Sequence, residues 1–280
     1  MQHDFYQPAD YHSLSAALDE KGMPIAWKHR IVRPSYWWAR SPANIVNGLD
    51  ALAVDGAADL PYSIPNLQVD YIMHNVGIPG CPWRAVANYN NTFVTESFVD
   101  EVAAAAGKDP YEFRRQLLDK KPRLKRVLEL AANKAGWGKP LPKGRFQGIA
   151  VAFFQFVPIG AYVAEVAEVS VSKDGKVRVH RVVCAADCGF VVNPDTVESL
   201  LQGSIVFGLT AVLKGEITIR DGRVEQSNFH DYRMLRMDEM PEIEIHIVPS
   251  TEVPAGAGEA SVPMIGPRSE ERRVGKECRL

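Results

Sequence analysis

The chain has 280 residues, 46% hydrophobic and 24% charged, the balance of an ordinary globular protein with enough core for two lobes. A formal net charge of −2 gives no electrostatic case for binding nucleic acid or an anionic membrane surface. Apolar runs such as Gly148 to Val157 are too short and interrupted to span a bilayer, so no transmembrane segment is expected.

The first residues, Met1 to Phe5, are polar and aromatic, and no signal peptide is visible in them. Leu14 to Asp19 and Ile25 to Val32 read as two strands around the turn Asp19-Glu20-Lys21-Gly22. A chain that opens in mid-sheet is expected to be truncated at its N-terminus. Arg33 to Gly80 is irregular and proline-rich, with a short strand expected at Tyr71 to Asn75. Helical periodicity follows from Thr92 to Ala106, with Phe93, Val94, Phe98, Val102 and Ala105 on one face. Glu96, Asp100 and Glu101 fall nearer the opposite side, and Gly107 closes the helix. Asp109 caps a second helix with Pro110 in its first turn, and a third runs from Arg123 to Ala135.

Trp137 to Arg145 has the composition of a linker. Residues 1–136 are therefore expected as one lobe, 137–145 as the connection and 146–267 as a second, β-rich lobe. Strands are predicted at Gly148 to Phe156, Ala161 to Val171, Val177 to Val183 and Glu242 to Val248. A helix from Thr196 to Leu213 carries Gly203 and Gly208, which persist either for tight packing or for close approach of a ligand. Arg268 onward turns abruptly to charge and matches a translated sequencing adapter, so 268–280 is expected to be an artefactual tail.

The candidates for chemistry are few. Four cysteines (Cys81, Cys184, Cys188, Cys278) form no spaced framework, and Cys184 and Cys188 are expected to be buried small residues. The histidines are scattered without ligand spacing, and Glu165 and Glu168 are expected at the surface or between lobes. Ser261 has no matched His and Asp, which leaves a serine hydrolase a distant reading. The most distinctive stretch is Val253-Pro254-Ala255-Gly256-Ala257-Gly258-Glu259-Ala260-Ser261-Val262-Pro263. Its two glycines are expected to adopt backbone angles closed to other residues and to let a ligand approach, while the prolines stiffen the loop. Glu259 has no Lys or Arg within five residues, and small, apolar company makes a carboxylate a better proton acceptor. A general base and a merely solvated loop acid both fit this pattern.

Four stretches stand in order: Trp83-Arg84-Ala85-Val86 with Asn91 to Val102, Asp109 to Arg114, Asp187-Cys188-Gly189 with Asn193-Pro194, Gln202-Gly203 and Phe207-Gly208, and Gly256 to Glu259. Together they resemble the large molybdopterin-binding subunit of the molybdenum hydroxylases, the xanthine dehydrogenase and aldehyde oxidoreductase family, and look most like its isoquinoline 1-oxidoreductase branch. The resemblance covers Met1 to Pro267 and implies an α+β fold of two mixed molybdopterin-binding lobes, truncated at both ends. It implies Glu259 as catalytic base and Arg84, Ala85, Gln202, Gly203, Gly256 and Gly258 as cofactor contacts. No metal ligand is expected on this chain.

The implied cofactor is molybdenum-molybdopterin dinucleotide in its cytosine form, with iron–sulfur clusters on a separate small subunit. The implied reaction hydroxylates an N-heterocycle or aldehyde with water-derived oxygen, and a lone fragment of the large chain is expected to be inactive. A non-catalytic scaffold or assembly module of the same fold is the alternative. The compartment, cytoplasmic or periplasmic, is left open. Departures from the family pattern are Ala260 where proline is usual, Pro263-Met264 where two prolines are usual, and Val157-Pro158-Ile159 in place of small polar residues.

Overall fold

The computed structural model describes residues 6–78, 80–156 and 159–266. The expected tail at 268–280, Cys278 and Val157-Pro158 lie outside them. The fold is α+β, and the chain forms two compact units, one running to Pro122 and one beginning at Arg123.

In the first unit, β1 (Tyr11–Leu18) and β2 (Pro24–Arg33) pair antiparallel, and β3 (Asn66–Met73) joins β2 in parallel. The hairpin forms as its sequence demands. Asp19 accepts the backbone N–H groups of Lys21 and Met23, and Gly22 takes a positive φ of 71°. Between β2 and β3 the irregular segment is held by a buried carboxylate. Asp50 accepts Ser35 Oγ and Tyr36 N at 2.7 Å and Leu52 N at 3.0 Å. These bonds replace the ladder partners that a proline-rich stretch lacks.

Helix α1 (Val86–Ala105) begins six residues before the predicted start, and α2 (Pro110–Leu117) is capped by Asp109 as expected. The buried face of α1 differs from the predicted one. Asn88, Asn91, Thr92, Thr95, Glu96, Val99 and Val102 are buried, whereas Ala105 is exposed. Glu96, expected near the outer side, is only 2% exposed. Its charge is compensated by Arg114 of α2, itself fully buried, whose Nε donates to Glu96 at 3.0 Å and whose Nη1 pairs with Asp100. Tyr62 donates its hydroxyl to the same carboxylate at 2.6 Å. A paired and hydrogen-bonded charge can face a core, and periodicity alone does not reveal it.

In the second unit, α3 (Pro122–Ala135) packs Leu124, Val127, Leu128 and Ala131 inward. Gln147 and Arg181 both donate to the Ala135 carbonyl, so residues 137–145 run within this unit between α3 and the sheet. The sheet order is β4-β5-β6-β9, from β4 (Arg145–Phe156), β5 (Ile159–Val171), β6 (Val177–Asp187) and β9 (Glu242–Ile247). Its first three strands are antiparallel, and β9 returns parallel to β6 after α4 (Pro194–Leu213). A two-residue hairpin, β7 (Ile219–Arg220) with β8 (Arg223–Val224), interrupts that return.

Two expectations are corrected here. Glu165 is fully buried, and Glu168 is buried and paired with Arg145 at 2.6 Å, so neither is a surface acid. Their strand lies at the centre of an apolar sheet, where both faces are covered. By length and composition, with a mean hydropathy of 1.5, α4 is long and apolar enough to cross a membrane, but its Ser204–Gly208 stretch packs on residues 258–265.

Candidate functional site

The Gly256–Glu259 loop sits where three elements of the second unit converge. β6 ends at Asp187, and the chain beyond it runs beside the approach to the loop. Phe190 N donates to Glu252 O and Ala255 N to Cys188 O, each at 2.8 Å. Gly189, at a φ of 77°, leaves no room for a side chain, because a Cβ there would fall on the Val253 carbonyl. Asp187-Cys188-Gly189 therefore holds residues 252–255 through the backbone.

From the other side α4 fixes the loop. Ser204 Oγ donates to the Gly258 carbonyl at 2.9 Å. A Cβ on Gly208 would stand 2.5 Å from Ile265 Cγ2 and 2.9 Å from Val262 O. Gly208 is thus the packing glycine of α4, and it lets the segment after Glu259 lie directly on the helix. Ala260, Ser261, Val262, Met264 and Ile265 are all fully buried, and Ser261 Oγ faces Cys184 Sγ at 3.6 Å. Ala260 and Met264, the departures from the family pattern, fill core beneath the loop, which is rigid by packing. Ser261 is out of reach of any substrate, which removes the serine-hydrolase reading.

Glu259 itself is half-buried, at the start of this packed turn. Gly256 and Gly258 flank it without the backbone angles expected of them: neither has a positive φ. Gly256, and Gly203 on α4, combine an ordinary backbone with open space. Apart from chain neighbours and the helix's own backbone, no heavy atom of the described residues lies within 4 Å of the position a Cβ would take at either. Gly258 meets only Leu200 Cδ2, at 3.9 Å. Neither backbone strain nor packing within the chain explains glycine at 203 and 256, whereas a bulky ligand seated against the main chain would. A cradle of this kind fits a pterin cofactor. Gln202 is half-buried and donates its side-chain amide to Glu198 at 3.3 Å, one turn back along α4.

Arg84 and Ala85 lie in the first unit, on a strained turn that starts α1. Ala85 is fully buried with φ 76°, and Val86 has φ 50°, unusual for a β-branched residue. The turn closes through Val86 N and Trp83 O at 2.6 Å, and Trp83 packs against Tyr89. Such strain persists only where surroundings enforce it, and it clusters at ligand clamps. The turn is positioned by α1, whose Asn91 holds the 53–55 loop through the carbonyls of Ala53 and Asp55. Among the described residues no cluster of His, Cys, Asp and Glu forms a metal site, and Cys184 and Cys188 are buried and in no disulfide.

Sequence reasoning missed Ser204, Gly208 and Asp187 as supports of the loop. The one available signal was the small residues of α4, whose spacing places Ser204 and Gly208 on one helix face.

Residues 100–241 match the family model of the molybdopterin cofactor-binding domain. The chain is 29% identical over 267 residues to the beta chain of isoquinoline 1-oxidoreductase from Brevundimonas diminuta, covering 90% of this chain and 32% of that protein. It is 32% identical over 200 residues to a membrane-bound aldehyde dehydrogenase (pyrroloquinoline-quinone) of Gluconacetobacter polyoxogenes, covering 66% of this chain and 26% of that one. In fold it is similar to quinoline 2-oxidoreductase from Pseudomonas putida 86, with a TM-score of 0.74 at 12% identity, over 92% of this chain and 58% of the other. The chain thus spans about a third or less of these two relatives it matches by sequence.

Proposed function

This chain belongs to the molybdopterin cofactor-binding domain family, and we propose that it supplies the catalytic base and part of the cofactor cradle of a molybdenum-dependent hydroxylase. The proposed reaction inserts one water-derived oxygen at an electron-poor carbon of an N-heterocycle or aldehyde. Carbon loses two electrons, two protons are released, and the electrons leave through an iron–sulfur partner subunit. The observation that carries this reading is the juxtaposition of half-buried Glu259 with the open glycines Gly203 and Gly256 on firmly packed elements.

When bound, the molybdenum cofactor, proposed in its cytosine dinucleotide form, supplies activated oxygen and a two-electron acceptor. The chain's residues do the rest. Glu259 accepts a proton at its carboxylate as oxygen is delivered to carbon, a role that adds about 10²–10⁴-fold to a rate. Gly203, Gly256 and Gly258 would let a pterin lie against bare backbone, and Gln202 would offer its amide to it. Arg84, presented by the strained turn at Ala85, would offer a planar fork of donors to oxygen atoms of the cofactor. The packed turn under Glu259 keeps its geometry fixed between cycles.

Hydroxylation in ¹⁸O-labelled water tests the reading, with the molybdenum-loaded holoenzyme containing this chain and isoquinoline, nicotinate and an aromatic aldehyde as substrates. One labelled oxygen in the product of at least one of them is expected. A holoenzyme free of molybdenum overturns it and favours the scaffold, and product oxygen drawn from O₂ overturns the water-derived hydroxylation.

A further inference from the structure

Beyond the residues assigned so far, one ion pair with a buried carboxylate stands at the approach to the Glu259 loop. Asp187, the last residue of β6, is buried and takes a two-point grip from Arg123: Nε to Oδ2 at 2.8 Å and Nη2 to Oδ1 at 2.6 Å. The same carboxylate accepts Gly189 N at 3.1 Å. Arg123 is held in turn, its guanidinium lying over the Tyr162 ring at 4.2 Å from the centroid. Tyr162 sits opposite Asp187 in the β5–β6 ladder. The ion pair thus ties the turn Asp187–Gly189 to helix α3 and to strand β5. That turn grips residues 252–255 by two backbone bonds and by the close approach of Gly189 to Val253. Gly256 follows directly.

We propose that Arg123 and Asp187 are positioning residues for Glu259, setting the entry of its loop while Ser204 sets its far end. The proposal rests on the reading of Glu259 as catalytic base. Asp187-Cys188-Gly189 then serves that base through the backbone, in addition to any contact the motif makes with cofactor. A bidentate arginine–carboxylate pair defines both distance and plane, which a single lysine contact does not. Glu259 must meet its proton within hydrogen-bond reach, so a shift of about 1 Å can cost about 10²-fold in rate.

The test compares Arg123→Met, Asp187→Asn, Arg123→Lys and Glu259→Gln in the molybdenum-loaded holoenzyme. Molybdenum content, kcat, KM and the pH profile of kcat are read for each. Arg123→Met and Asp187→Asn are expected to keep metal within twofold and KM within threefold while kcat falls at least tenfold and its pH profile changes. Arg123→Lys is expected to restore charge without restoring kcat beyond a third of wild type. A purely structural role would lower metal loading and leave turnover per molybdenum and the pH profile unchanged, and that result overturns the proposal. If Arg123→Met and Asp187→Asn do not accumulate as loaded enzyme, Arg123→Lys decides: wild-type kcat per molybdenum overturns the proposal. Full activity in Glu259→Gln would instead sink the assignment of the base, which separates the two failures.

Discussion

Ser204 Oγ donates to the Gly258 carbonyl at 2.9 Å, so the middle of α4 fixes the residue immediately before Glu259. The same hydroxyl lies 2.8 Å from the Leu200 carbonyl one turn back, and the serine is fully buried. Ser204→Ala would leave the Gly258 carbonyl without this partner, a loss of about 1–3 kcal/mol for a buried group. Urea unfolding should show that loss, and turnover per molybdenum in the holoenzyme should fall severalfold. An unchanged unfolding midpoint would mean that the bond does not hold the loop.

The glycines separate packing from ligand contact. Gly208→Ala should destabilise the chain by about 1–3 kcal/mol, since its Cβ would meet Ile265 and the Val262 carbonyl. Gly203→Ala meets no atom of the described residues and removes a helix-interior glycine, so it should gain up to about 1 kcal/mol. Gly256→Ala should be near neutral in the same assay. Both open-glycine variants should nonetheless lower the molybdenum content of the holoenzyme. Normal loading in both would contradict the cradle.

Much of the scaffold was legible because single residues announce it. Asp109 and Asn193 cap α2 and α4 with their side chains, Gly107 and Gly136 leave helices at positive φ, and Asp19 with Gly22 closes the first hairpin. The start of α1 was not legible, since a positive φ at Ala85 and Val86 is imposed by surroundings and has no local signature. Its buried face was misread because Glu96 and the asparagines are internal only by virtue of partners far along the chain. At the site, Glu259 stood out by its apolar company. The supports at Ser204 and Asp187 did not, because contacts across 54 and 64 residues leave no periodic trace.

Arg114 tests the misread face directly. It is fully buried and serves Glu96, Asp100 and the Pro110 carbonyl together. Arg114→Met strands the Glu96 carboxylate in the interior of the first unit, a loss of about 3–5 kcal/mol. Chemical denaturation checks it, and a change below about 1 kcal/mol, the range of surface pairs, would contradict the burial.

Stability should also carry a pH signature from Asp55. Burial, with Asp59 and Asp50 nearby, pushes its carboxyl up to about 7 from 3.8. The folded state therefore binds the proton more tightly than the unfolded chain, and stability falls as pH rises from about 4 to 7. His29 works in the other direction: burial and the neighbouring His12 push it down to about 4, so its contribution is lost as pH falls from 6.5 to 4. Asp55→Asn isolates the first effect. It should raise the urea midpoint at pH 8 more than at pH 5, and an equal change at both values would contradict the assignment.

The most direct measurement is Glu259→Gln in the molybdenum-loaded holoenzyme, with metal content and turnover taken on the same preparation. The substitution keeps shape and removes the proton-accepting charge. Molybdenum within twofold of wild type, with turnover down by about 10²–10⁴-fold, is the predicted result. Turnover within tenfold of wild type at full metal loading would contradict it.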